Sequence, residues 1–370
     1  MNVIFIIGIF IALFQFLLLL NKRSKSLPDF ILAVWMLSIG IHLLSTNFYH
    51  LGYWEKYPHL IGITAPLPLL YGPLLYLYVS HSLKNEKRLS KFDYLHFIPT
   101  VFSYAYLSRF YFFYSAAEKR MIDSGEMDDF QTFSIILLGG IILSGIAYSI
   151  IAYRQLNKYT ILIDNNFSNS ESINLNWLKS LIWGVGILFL VITVLVITKD
   201  LLGIDFAFNP DIIIYSTMIL GILLLGYFGI RHQNIFTDNI IVETTSKESY
   251  YKSGLKEDQA KMIHHRLLQI MEKEKPYLKP KLSLTNLAYL VDTSPNHLSQ
   301  IINQFEQQNF NDFVNQYRVE EFIHLATEND QYSYLALALE AGFNSKSTFN
   351  KLFKKQKGMT PSQFLAQKRA

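Results

Sequence analysis

The chain has 370 residues, a formal charge of +4 and a 51% hydrophobic composition, a length that allows two or three domains. It contains no cysteine, which excludes a disulfide framework, a thiolate metal site and a cysteine nucleophile. The apolar residues are unevenly placed: the long runs lie in 1–230, whereas 231–370 mixes charge with amphipathic patterns.

The first apolar run has neither a basic leader nor a small-residue cleavage site, so it reads as a retained membrane span rather than a signal peptide. Crossing a hydrocarbon core of roughly 30 Å takes about 20 helical residues. Seven segments meet that length: Val3–Leu20, Phe30–Phe48, Leu60–Val79, Tyr94–Tyr114, Phe133–Tyr153, Leu181–Thr198 and Ile212–Ile230. Backbone groups in lipid must pair internally, and runs this long exclude strands, so a helical bundle is expected.

The connecting loops set an orientation. Lys22, Arg23, Lys25, Lys84, Lys87, Arg88, Lys91, Arg154 and Lys158 follow the odd-numbered spans; Lys56, Lys119, Arg120 and Lys199 follow the even ones. The excess of positive charge places the N-terminus outside and delivers residue 231 to the cytoplasm.

Within span three, Pro66, Pro68, Gly72 and Pro73 predict a break, read either as a hinge beside a ligand pocket or as a static kink that aids packing. Arg109 lies near the outer end of span four, within reach of the headgroups, and His42 reads as a neutral, satisfied histidine. With no second ionisable group assigned to a matching depth, neither makes a proton relay. The loop Ser115–Asp129 is acidic, through Glu118, Asp123, Glu126, Asp128 and Asp129, and reads as solvated rather than cation-sensing.

Residues 231–260 read as a polar cytoplasmic linker. A helix over Leu255–Lys275 follows, with Met262, Ile263, Arg266, Leu267, Ile270 and Met271 at helical spacing. It either docks on the next domain or serves a dimer; the stripe is too short for a coiled coil.

Two turned helix pairs come next. Ser283 caps a helix carrying Leu284, Leu287, Ala288 and Val291; Asp292-Thr293 form the turn; Ser294-Pro295 open the second helix. That helix turns Leu298, Ile301, Ile302 and Phe305 inward and Asn296, His297, Ser299, Gln300 and Asn303 outward. In the second pair, Leu335, Leu337, Ala338 and Ala341 form the first helix and Gly342 ends it. Asn344 or Ser345 caps a helix that buries Phe349, Leu352 and Phe353 and exposes Lys346, Ser347, Asn350, Lys351 and Lys354. The two pairs match as an internal duplication with one residue added in the second turn. Between them, Asn309 caps a helix with Phe310, Phe313, Val314, Tyr317, Phe322 and Leu325 on one side. Lys346, Lys351, Lys354, Lys355 and Lys357 form a basic cluster without an acid, the pattern of a phosphate-facing surface.

Two such pairs joined by one helix resemble the DNA-binding domain of the AraC/XylS transcription regulators, over about Ile263–Lys368. The resemblance rests on Leu287-Ala288, Ser294-Pro295, Leu298-Ser299, Phe310, Asn315, Tyr317-Arg318, Ala338, Gly342-Phe343, Ser347, Phe349, Phe353-Lys354-Lys355 and Gly358-Met359-Thr360-Pro361. YGPLLYLYV and LHFIP make the apolar half look like the multi-span input domain of some Bacteroidetes-type members; the soluble sugar-binding barrel of many members is missing. One departure is that Leu282 to Tyr317 holds no lysine or arginine. Asn and Gln pair with adenine, whereas Arg favours guanine.

The expected fold is therefore all-α: a seven-helix transmembrane bundle (1–230), a linker (231–260) and a cytoplasmic double helix-turn-helix domain (261–370). The expected function is a membrane-embedded one-component regulator of promoter DNA in a bacterial cytoplasmic membrane. Ser294, Asn296, His297, Gln300, Asn303, Ser345, Lys346, Ser347, Asn350, Lys351, Lys354 and Lys355 are the expected DNA contacts. Expected partners are double-stranded DNA, the lipid bilayer, RNA polymerase, a second copy of the chain, and a small ligand or membrane signal. No cofactor, metal or enzymatic activity is expected: the chain has no phosphate-cradling glycine loop and no HExxH, and adjacent His264-His265 point apart on a helix. The competing reading is a transporter or membrane enzyme with a protein-binding tail.

Overall fold

The computed structural model describes residues 2–23, 25–83, 88–168, 175–204, 206, 210–231, 257–328 and 331–369. The expected linker falls almost wholly outside these residues, as do Lys84 and Lys87. The named elements among the described residues are all helices, and the chain divides into two compact units, one drawn from Met1–Asn157 and Leu175–Asp238, the other from Lys158–Asn174 and Asn239–Ala370.

The first unit holds α1 (Asn2–Leu20), α2 (Leu27–His50), α3 (Tyr71–Ser82), α4 (Ile98–Phe113), most of α5 (Gln131–Asn166), α6 (Asn176–Val196) and α7 (Pro210–Arg231). Among the described residues, Val3–Leu20, Leu27–His50, Gln131–Asn166 and Asn176–Lys199 are long and apolar enough to cross a membrane; Ile212–Tyr227 is shorter. Their outward faces are strongly apolar: Phe10 is 68% exposed and Leu143 70%, which water would penalise and lipid would not. Helix α2 begins in a capping box, with Ser26 and Asp29 bonding reciprocally and Pro28 in the first turn. Helices α1 and α2 pack closely where Gly40 faces Ala12.

Span three departs from the expected Leu60–Val79. The chain runs through turns and a 3-10 segment, Leu67–Leu70, and becomes α-helical only at Tyr71. Proline lacks the donor a helix needs and biases the residue before it away from helix, so Pro66 and Pro68 delay the start, while Pro73 sits harmlessly in the first turn. The twelve residues of α3 rise about 18 Å, short of the hydrocarbon core. Similarly, α4 starts at Ile98 with Pro99 in its first turn, after a 3-10 segment Asp93–Phe97. The acidic stretch after α4 is ordered rather than an open loop: Ser115 and Glu118 form a capping box on a helix Ala116–Ser124. Lys119 is buried there and donates to the Tyr111 carbonyl. Arg109 lies over the Tyr114 ring at 5.9 Å.

The second unit comprises α8 (Glu257–Lys273), α9 (Leu284–Val291), α10 (Pro295–Ile301), α11 (Phe310–Glu328), α12 (Tyr334–Glu340), α13 (Lys346–Lys357) and α14 (Pro361–Arg369), with the end of α5. It has two cores. The first gathers Leu267, Ile270 and Met271 of α8 with Leu287, Val291, Leu298, Ile302, Phe310 and Phe313. The second gathers Phe322, Ile323, Leu337, Ala338, Phe343, Phe349, Phe353 and Leu365. Helix α11 feeds both, its N-terminal turns entering one core and its C-terminal turns the other. Helix α8 thus docks on the first core; Met262 and Arg266, expected in its stripe, are exposed instead.

Candidate nucleic-acid interface

Each helix pair is built by local chemistry. The Ser283 hydroxyl accepts from the Asn286 N–H, Ser294 from His297, Ser333 from Ala336, Ser345 from Thr348, and Asn309 Oδ1 from Asp312, so the N-termini of α9 to α13 are all capped by side chains. Asp292 ends α9 with φ 60° and Gly342 follows α12 with φ 93°, both left-handed. The expected alternative cap, Asn344, yields to Ser345.

On α13 the exposed residues Lys346, Asn350, Lys351 and Lys354 recur at helical spacing, with Ser347 beside them and Ser345 half-buried at the cap. The opposite face is aromatic: Phe349 lies 4.4 Å from Phe322 and 5.7 Å from Phe353, centroid to centroid. The helix is therefore clamped by its apolar face and presents a basic one. Lys355 is exposed but donates to Asp312 Oδ1 at 2.6 Å, and Lys357 donates to Glu320. Both acids belong to α11, so these lysines tie α13 to the bridging helix. Lys354, Lys355 and Lys357 also occupy the last turn, where cations favour the helix dipole.

On α10, Ser294 and Asn303 are exposed, while Asn296, His297 and Gln300 are half-buried. Asn296 Oδ1 is buried with no hydrogen-bond partner among the described residues. Asn303 donates to the Ser299 carbonyl. Ser299, expected outward, is only 3% exposed: a seven-residue helix packed on both α8 and α9 keeps a narrow free face. Leu335 on α12 is exposed, and Tyr334 packs against Phe322. Helix α10 continues as a π turn, Ile302–Glu306, which shifts Phe305 to the rim. There it stacks on His264, whose Nε2 meets Glu306 at 2.6 Å. Among the described residues no His, Cys, Asp and Glu gather as a metal site.

Sequence reasoning missed the polar centre of this unit. Arg318 is 1% exposed, and none of its hydrogen-bond partners among the described residues is a carboxylate. Its Nε donates to the Tyr277 carbonyl at 2.7 Å and its Nη2 to the Lys279 carbonyl at 2.9 Å. Burial pulls its pKa down to about 10, still charged at neutral pH. Glu321, one residue before Phe322, accepts from Lys275 Nζ and the Tyr277 hydroxyl. Burial, then the Glu321 carboxylate, pushes the Tyr277 hydroxyl up, so it stays a donor. The signal in the sequence was the family resemblance, which includes Asn315 and Tyr317-Arg318 without giving them a role.

Residues 287–367 match the family model for a helix-turn-helix domain. The match runs from the middle of α9 into α14 and includes α10 and α13. It supports an AraC-type DNA-binding domain and a role in DNA-binding transcription regulation. Comparison with curated proteins and with solved structures gave no match.

Proposed function

We propose that the chain is a membrane-embedded, one-component transcription regulator whose 261–370 domain reads promoter DNA through α10 and α13. One observation carries this reading: the matched helix-turn-helix domain presents the exposed basic face of α13 in a chain that also holds four helices able to cross a membrane. Ser345, Lys346, Ser347, Asn350, Lys351, Lys354 and Lys355 on one motif, and Ser294, Asn296, His297, Gln300 and Asn303 on the other, are the proposed contacts. Lysines anchor phosphates, and the amide-bearing first motif reads base edges.

Residues 1–230 are the proposed input domain, crossing seven times with the N-terminus outside, and 231–260 the proposed linker. The short α3 and α4 then cross with their 3-10 extensions. A cavity of about 230 Å³ in the first unit supports a sensing role for a small apolar ligand. It is lined by Trp35, Ile39, His42, Pro68, Tyr71 and Met218 among others, so it adjoins the proline break. Buried Trp35 Nε1, His42 Nδ1 and Tyr71 Oη around it have no hydrogen-bond partner among the described residues, which suits a ligand carrying one polar group. RNA polymerase and a second copy of the chain are further proposed partners. Capture of chromatin on the full chain, followed by sequencing, tests the reading: discrete promoter peaks support it, and a uniform genomic background contradicts it.

A further inference from the structure

The bridging helix α11 carries a polar stripe that its apolar pattern does not require. Asn311, Asn315 and Arg318 recur at helical spacing, are 7%, 0% and 1% exposed, and face one short extended segment, Phe167-Ser168, just past the end of α5. Asn311 Nδ2 donates to the Phe167 carbonyl at 2.9 Å, and Asn315 Nδ2 to the Ser168 carbonyl at 2.9 Å. Arg318 Nη1 reaches that same carbonyl at 3.3 Å, and Nη2 reaches the Ser168 hydroxyl at 3.1 Å. Ser168 in turn donates through N–H and hydroxyl to the Leu282 carbonyl, and Phe167 forms an antiparallel bridge with Ser283, the N-cap of α9.

These donors read backbone carbonyls and one small hydroxyl, so the stripe fits an extended peptide rather than a nucleic acid or a metal. The peptide in place belongs to this chain, between the fifth and sixth apolar helices. We propose that the stripe is the receiving surface of the regulator, and that docking and release of Phe167-Ser168 set the DNA-binding competence of the second unit; this rests on the regulator reading above. Two features make the site suited to that role. First, Arg318 is also the joint between the halves: it holds the Tyr277 and Lys279 carbonyls, and its Nε lies where a side chain on Gly342, at the turn of the second pair, would sit 3.1 Å away. A change there alters how the first motif is held against the second, and so the spacing of the two recognition helices. Second, the contacts are hydrogen bonds, and on release water can take over the freed donors and acceptors, whereas an apolar contact would have no such substitute. Helix α5 supplies the input: its 36 residues run unbroken from the apolar stretch at Phe133–Tyr153 to Asn166, one residue before the docked pair.

The chain has no cysteine, so single thiols can be placed cleanly in the full-length protein in lipid nanodiscs. Ser168→Cys should react with a maleimide at least about tenfold more slowly than Lys158→Cys at an exposed site, as buried, hydrogen-bonded groups react only through opening. Asn315→Ala in the Ser168→Cys background should restore fast labelling. Ser168→Arg, which sets a second guanidinium against Arg318, should change affinity for a duplex enriched by the wild-type chain from a random pool by about fivefold or more. The milder Ser168→Ala should move it the same way by less, which separates release from misfolding. Labelling of Ser168→Cys as fast as Lys158→Cys overturns the docking; slow labelling with unchanged affinity in both variants overturns the coupling. If the wild type enriches no duplex while labelling stays slow, the regulator reading fails and the docked surface stands.

Discussion

Asp292 and Gly342 hold the same post in the two helix pairs. Each follows the first helix of its pair with a left-handed backbone, at φ 60° and 93°. Their surroundings differ. A Cβ on Gly342 would lie 2.4 Å from the Tyr277 carbonyl oxygen and 3.1 Å from Arg318 Nε, whereas Asp292 is exposed and lies 3.4 Å from Arg266.

Opposite responses to substitution follow. Gly342→Ala should destabilise the second unit by about 2 kcal/mol or more, since backbone strain and a clash act together. Asp292→Gly should be neutral or stabilising by up to about 1 kcal/mol, because it removes the left-handed penalty at the expense of a weak surface pair. Thermal unfolding of the full chain, followed at the transition of the second unit, checks both. Equal loss from both substitutions would show that the two turns are packed alike.

The lysines of α13 should fall into two groups. Lys354→Ala and Lys351→Ala should weaken binding to every duplex by a similar factor and reduce the log–log salt slope by about 0.9 per lost contact. Lys357→Ala, whose ammonium is held by Glu320, should leave the salt slope nearly unchanged. Anisotropy titrations across a range of salt read the slopes; a salt-independent affinity in the parent chain refutes the phosphate assignment.

For α10, bidentate amide pairing predicts an A·T-leaning half-site. Gln300→Ala should relax the preference at one or two positions, by about 1–3 kcal/mol each, with little change in non-specific binding. Selection from a random library provides the measurement. An unchanged motif would remove Gln300 from base reading.

Much of the second unit was legible because its signals are local. Ser283, Ser294, Asn309 and Ser345 at caps, a proline after Ser294, glycine after Ala341 and apolar residues at helical spacing fix helices α9 to α13 without long-range information. The four longest apolar runs were legible for the same reason. Failures arose where distant residues decide. Asn315 and Tyr317-Arg318 stood out in the sequence through the family resemblance, but not their partners, because the Phe167-Ser168 segment that covers them lies more than a hundred residues earlier in the chain. Ser299 looked exposed because a helix wheel cannot show how little of a seven-residue helix remains free once two neighbours pack on it. The late start of α3 was half-legible: Pro66 and Pro68 marked a break, but hydropathy alone does not say on which side the helix survives.

Orientation carries its own expectation. With the C-terminal domain beside DNA, a phosphatase reporter fused after Ala370 should be inactive and a cytoplasmic reporter there active, and the reverse should hold at Met1. Periplasmic activity at Ala370 would contradict the seven-crossing reading.

The central claim is that one chain both sits in the membrane and reads DNA, and chromatin capture on the full-length chain from membranes tests it most directly. Discrete promoter peaks are expected, sharing two half-sites about one helical turn apart, roughly 34 Å, with the α10 half-site rich in A·T. A library spread evenly over the genome, or one unchanged when α13 carries Lys346→Ala, Lys351→Ala and Lys354→Ala together, would contradict it.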